Sequence, residues 1–144
     1  MIKINPYLNF PGNTEEAFNY YKEVFGGDFA GGIFRFKDTP DADKLSKEDQ
    51  EKVMHVGLPI GNTNMLMATD ALESMGFKLT FGNNFYLSIE TESKEEADKI
   101  FSSLSEGGNV QMPMKDEFWG AYFGMFTDKF GVQWMVSYNY PQEK

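Results

Sequence analysis

The chain has 144 residues and no cysteine, which suits one compact domain or two packed halves and removes disulfides, thiolate catalysis and Cys-based metal centres. Its formal net charge of −9, with no cluster of Lys or Arg, repels phosphate backbones and anionic lipid, so no nucleic acid and no membrane is expected as a partner. Fourteen Phe, seven Tyr and nine Met point to large, adaptable side chains in a core or a pocket.

Met1 to Pro6 leads straight into a strand-like run, with no basic start followed by an apolar stretch, so no secretory leader is expected. No apolar run approaches the roughly 18 residues of a membrane span. With the missing cysteines, this sets the expectation of a cytoplasmic protein. Tyr7-Leu8-Asn9-Phe10 reads as the first strand and Pro11-Gly12 as its turn. Asn13 then serves as an N-cap, with Glu16 three residues on to complete a capping box. Ala17, Tyr20, Tyr21, Val24 and Phe25 form one apolar helical stripe, which Gly26-Gly27 ends. Three strands follow near Phe29–Phe36, Met54–Ile60 and Met65–Thr69. Between the first two lies a polar excursion, Lys37–Lys52, with a short helix from Ser46. Ala71–Asn83 reads as a connection.

The pattern then recurs. Phe85–Ile89 is strand-like, and Ser93 with Glu96 repeats the cap. Ala97, Ile100, Phe101 and Leu104 repeat the stripe, and Gly107-Gly108 repeats the stop. Strands are expected near Asn109–Lys115, Tyr122–Phe126 and Val132–Tyr138, the last rich in β-formers. The fold expected is therefore α+β, a single domain over 1–144 built of two tandem β-α-β-β-β modules. Module one covers 1–70, the connection 71–83 and module two 84–140.

This plan, with the quoted first strand and helix, Met67-Ala68-Thr69-Asp70-Ala71, Phe118-Trp119-Gly120-Ala121-Tyr122-Phe123-Gly124 and Thr127-Asp128-Lys129-Phe130-Gly131-Val132-Gln133-Trp134-Met135, resembles the PhnB-like branch of the glyoxalase/bleomycin-resistance (vicinal oxygen chelate) superfamily. The resemblance implies mixed sheets curled around a cleft, and a homodimer. It also implies four metal-ligand positions on the first and last strands of the modules. Those positions fall at Pro6, Asn84 and Met135, with Asp70 near the fourth. Pro, Asn and thioether donors do not suit a hard or borderline divalent ion, so no metal and no other cofactor is expected.

Candidate site residues remain. His55 is the only histidine and reads as a general base or as a polar strand residue satisfied by a neighbour; it shares one face with Gly57 and Pro59. Asp70 and Asp128 each read as a pocket acid, Asp70 as the partner of His55, or as turn chemistry, which is the favoured reading for Asp128. Trp119 and Tyr122, with Phe118 and Phe123, read as a ligand wall or as packing. Asn9, Asn84 and Met135 are further ligand contacts. The alternating methionines read as core or apolar lining rather than a copper site. The first functional expectation is a homodimer that binds a small, partly aromatic or apolar molecule without metal. The alternative is a lyase, isomerase or dioxygenase-type enzyme using His55 and Asp70 or a weakly held metal. A structural dimer with a filled cleft is the third.

Overall fold

The computed structural model describes residues 1–62 and 64–142. The chain divides into two units, Met1–Thr80 and Phe81–Lys144, each built around one four-stranded mixed sheet. The first unit runs β1 (Tyr7–Phe10), α1 (Thr14–Phe25), β2 (Phe34–Arg35), α2 (Lys47–Gln50), β3 (Val53–Ile60) and β4 (Asn64–Asp70). The second runs β5 (Leu87–Glu90), α3 (Lys94–Ser105), β6 (Asn109–Glu117), β7 (Ala121–Thr127) and β8 (Gln133–Asn139). The strand orders are β1-β4-β3-β2 and β5-β8-β7-β6, so the same α+β topology is written twice. In each, the first strand lies parallel to the last and the others are antiparallel.

Alternation along the strands fixes which face each helix covers. In the first unit Leu8, Phe10, Val56, Leu58, Leu66 and Ala68 are buried with Ala17, Phe18 and Tyr21 of α1. Phe18 stands edge-on to both Phe10 and Tyr21, at ring separations of 6.3 and 5.5 Å. Each such ring contributes roughly 1.5–3 kcal/mol by its removal from water. The second unit repeats the arrangement with Phe126, Trp134 and Val136 buried alongside Ala97 and Leu104 of α3. Gly124 lets this layer close: a Cβ there would lie 2.7 Å from both Phe101 and Met114.

Three local expectations are corrected. The strand expected over Phe29–Phe36 shrinks to Phe34–Arg35, because Gly31 and Gly32 take φ of 72° and 80° and turn the chain away before pairing begins. The strand expected from Phe85 starts at Leu87, which leaves Asn84 ahead of it. Asn13 makes no side-chain cap on α1. The first amide of α1 is held instead from the neighbouring strand β4 by Asp70, whose Oδ1 accepts from Thr14 N at 3.0 Å. In α3 the local cap forms: Ser93 Oγ accepts from Glu96 N, while the Glu96 carboxylate reaches one residue past the cap to accept from Glu92 N. Ser46 likewise caps α2 through the Asp49 amide.

The edges of the two sheets differ. Two-residue β2 has a register shift against β3 and runs into the polar excursion. Nine-residue β6 carries Pro113 at its centre, and its pairing with β7 slips between Met112 and Lys115.

Candidate functional site

In the first unit the sheet face turned away from α1 carries Tyr7 and Asn9 of β1, Met65, Met67 and Thr69 of β4, and His55, Gly57 and Pro59 of β3. These positions pair across the strands and alternate with the buried set. The face His55 shares with Gly57 and Pro59 is thus the open one. Gly57 leaves a gap over which the thioether of Met65 lies, 3.1 Å from where a Cβ would stand.

His55 is half-buried between two rings. The Tyr7 hydroxyl is 3.0 Å from its Nδ1, with the ring centroids 5.7 Å apart. Phe34, which pairs with His55 across the β2–β3 ladder, sits 6.4 Å away on another side. Burial pushes the Tyr7 phenol up, so it keeps its proton at neutral pH.

Asp70 lies on the opposite face. It is buried, and its two carboxylate oxygens accept from the amides of Thr14 and Val53, at 3.0 and 2.8 Å. The structure therefore does not bring His55 and Asp70 together. The sheet stands between an imidazole on the open side and a carboxylate engaged with the start of α1 and the start of β3. Asp128 is engaged similarly, with Oδ1 accepting from Phe130 N and Val132 N and Oδ2 from the Trp134 indole.

In the second unit the face turned away from α3 carries Ser88 and Glu90 of β5, Met135 and Ser137 of β8, and Phe123 and Met125 of β7. Trp119, in the turn between β6 and β7, stacks edge-on to Phe123 at 5.6 Å and to Phe118 at 5.2 Å. Trp119 and Phe118 are 51% and 96% exposed, so neither packs as core. Tyr122 departs from this group. One residue out of phase with Phe123, it faces α3, where its hydroxyl donates to Asp98 Oδ1 at 2.5 Å and Lys94 Nζ stands 4.5 Å over its ring. The Asp98 carboxylate, and then burial, push its phenol up. Asn9 and Asn84 are both exposed, Asn9 on the open face beside Tyr7 and Asn84 in the segment before β5.

The donor chemistry on these faces does not fit a chelated divalent ion. On the first and last strands of the two units the open positions hold Tyr7, Asn9, Met65, Met67, Thr69, Ser88, Gln133, Met135, Ser137 and Asn139, with Glu90 the one carboxylate. Among the described residues no three His, Asp or Glu side chains group to hold a metal. No helix is long and apolar enough to cross a membrane.

Sequence reasoning missed Tyr7, Phe34 and Glu90. The alternation Tyr7/Asn9 against Leu8/Phe10 carried the signal for Tyr7. Phe34 had none, since its partner depends on where the glycines end the loop.

Two tandem β-α-β-β-β units, each with its first strand parallel to its last, define a protein of the glyoxalase/bleomycin resistance/dioxygenase fold. A structure of that family from Burkholderia phytofirmans PsJN matches with a TM-score of 0.63 over 92% of this chain and 95% of its own, and at 19% identity it speaks for the fold alone. The family described as 3-demethylubiquinone-9 3-methyltransferase matches residues 2–137, and the chain belongs to this PhnB-like family. Protein YjdN of Escherichia coli (strain K12) is 30% identical, covering 94% of this chain and 95% of that protein. The structure of protein PA1353 from Pseudomonas aeruginosa is 38% identical, with a TM-score of 0.85 over 98% of this chain and 100% of that one. A putative 3-demethylubiquinone-9 3-methyltransferase, PhnB protein, from Bacillus cereus is 28% identical, with a TM-score of 0.75 over 95% and 99%.

Proposed function

We propose that this chain binds a small, planar, largely apolar molecule on the open face of its sheets without a divalent metal, and does so as a homodimer. The observation that carries the reading is the chemistry of those faces. Where a chelating site needs converging imidazoles and carboxylates, they present rings and thioethers with isolated polar groups, the usual lining of an organic-ligand site.

The family description and the Bacillus cereus relative name a methyl transfer to a demethylated ubiquinone. A planar ring remains a fitting ligand, without the transfer. The turn from β1 into α1, Pro11-Gly12-Asn13, has one glycine, and the amide that opens α1 is held by Asp70. That turn does not fit the glycine-rich cradle of an S-adenosylmethionine site. An enzyme of the lyase or isomerase type is favoured only by the Tyr7–His55 pair, with His55 as base and no acid partner from Asp70.

The test is elemental analysis of untagged protein after growth with zinc, nickel, iron and manganese supplied, followed by thermal shifts against aromatic ligands with and without chelator. Substoichiometric metal and chelator-independent shifts are expected. Near-stoichiometric metal, or binding abolished by chelator, refutes the reading.

A further inference from the structure

We propose that Tyr7 is a positioning residue that holds His55 as its Nε2–H tautomer, so that the open face of the first unit selects planar apolar ligands bearing a carbonyl or carboxylate oxygen. The proposal rests on the metal-free binding reading and names the ligand class it takes.

The Tyr7 hydroxyl and His55 Nδ1 are 3.0 Å apart. In such a pair the phenol is much the better donor, because its oxygen lone pair is drawn into the ring, whereas an unprotonated imidazole nitrogen is a strong acceptor. The hydrogen bond made by one ring nitrogen sets which nitrogen carries the proton. With Nδ1 accepting, the proton sits on Nε2, and among the described residues no group accepts from it.

The surroundings are uncharged and mostly apolar, with Asn9 and Thr69 the polar neighbours on the face. Phe34 and Tyr7 flank the imidazole, and Gly57 and Met67 continue the same face. No Asp, Glu, Lys or Arg occupies the open positions of β1, β3 and β4. An N–H donor in that setting rewards a ligand oxygen. A ligand of the same shape without one leaves the donor unpaired, which costs more than the bond itself contributes.

His55 is the only histidine, so side-chain nitrogen-15 NMR reads this one residue without assignment. The spectrum is recorded at about pH 8. The expected spectrum has the proton on Nε2 and an Nδ1 resonance displaced by the accepted hydrogen bond. Tyr7→Phe, at a half-exposed position that leaves the core intact, should move the Nδ1 resonance and let the Nδ1–H form grow in. A wild-type Nδ1–H form, or a Tyr7→Phe spectrum identical to wild type, overturns the assignment.

The ligand half uses 2-acetylnaphthalene and its carbon isostere 2-isopropenylnaphthalene, titrated while the His55 ring signals are followed. The ketone should bind about tenfold tighter, the worth of one hydrogen bond, and the difference should vanish in His55→Phe. Equal affinities overturn the selection. Shifts confined to the Trp119 indole overturn it too, while leaving metal-free binding standing. Binding of neither probe up to its solubility overturns the selection, and the metal analysis then judges the broader reading by itself.

Discussion

Asp70→Asn is expected to destabilise the fold while leaving ligand binding on the open face unchanged. The carboxylate is 3% exposed and accepts two backbone bonds, from Thr14 N at the start of α1 and from Val53 N at the start of β3. Hydrogen bonds to an ionised group contribute about 1.5–3 kcal/mol each. Negative charge at a helix N-terminus adds about 0.3–1 kcal/mol, more where it is partly buried. The amide keeps one acceptor oxygen, loses the charge and sets an N–H2 group against a backbone N–H. A loss of about 2–4 kcal/mol follows, a large share of the roughly 5–15 kcal/mol that holds a domain together. Urea unfolding followed by circular dichroism reads it. With a slope of about 1–3 kcal/mol per molar, the midpoint should fall by about 1–2 M. Asn9→Ala, an exposed change, should stay within about 0.5 kcal/mol and serves as the control. If Asp70→Asn unfolds at the wild-type midpoint, the two bonds contribute nothing, and a chemical role for this carboxylate returns.

Gly108→Ala should cost about 1–3 kcal/mol or more, read by thermal unfolding, because a Cβ there would lie 2.2 Å from the carbonyl oxygen of Thr127, a backbone atom that cannot swing aside. Arg35 holds the Glu15 carboxyl below the usual carboxylate range through a two-pronged hydrogen bond, at 3.0 and 2.9 Å. Because Glu15 is nearly half exposed, Glu15→Gln should cost under about 1 kcal/mol at neutral pH. Its folded value being the lowered one, that stabilisation is whole above the ordinary value of about 4.3 and disappears as pH falls through the folded value, so wild type and variant should converge in acid. A gap that persists in acid would assign the effect to packing. Light scattering should give twice the chain mass if the homodimer forms, and Trp119→Ala should weaken binding of an aromatic ligand at the second unit without changing the unfolding midpoint.

The duplicated architecture was legible because each helix announces itself locally: a cap, an apolar stripe at helical spacing and a double glycine. The strands of β3, β4, β7 and β8 followed from alternation. What failed was whatever depended on contacts distant in sequence. Asn13 has the right chemistry for a cap yet makes no cap bond, and the start of the helix is held instead by the buried Asp70, 56 residues from Thr14. Tyr122 and Phe123 look alike as neighbours in an aromatic run, and only the register of β7 against β8 sends one to Asp98 and the other to Trp119. His55 and Asp70 made a plausible acid–base pair on paper because residue type was visible and sheet face was not. Tyr7 stands on the open face where the sequence offered only Pro6 just ahead of the strand, because which residue of a short strand faces outward depends on a register that residue type does not reveal.

The unequal sheet borders bear on how the two halves tolerate damage. A border strand offers unpaired amides to any passing chain, and length and flatness make it more inviting. On the side away from β1 the first half has almost no border, only two residues of β2, so protection there is lost if the excursion is shortened and β3 is laid bare. The second half keeps a long border and interrupts it with Pro113, which has no amide to offer. One half is thus guarded by a segment and the other by a single imino acid. Pro113→Val should make the second half the seed of strand-to-strand aggregation, in a protein whose native stability barely changes.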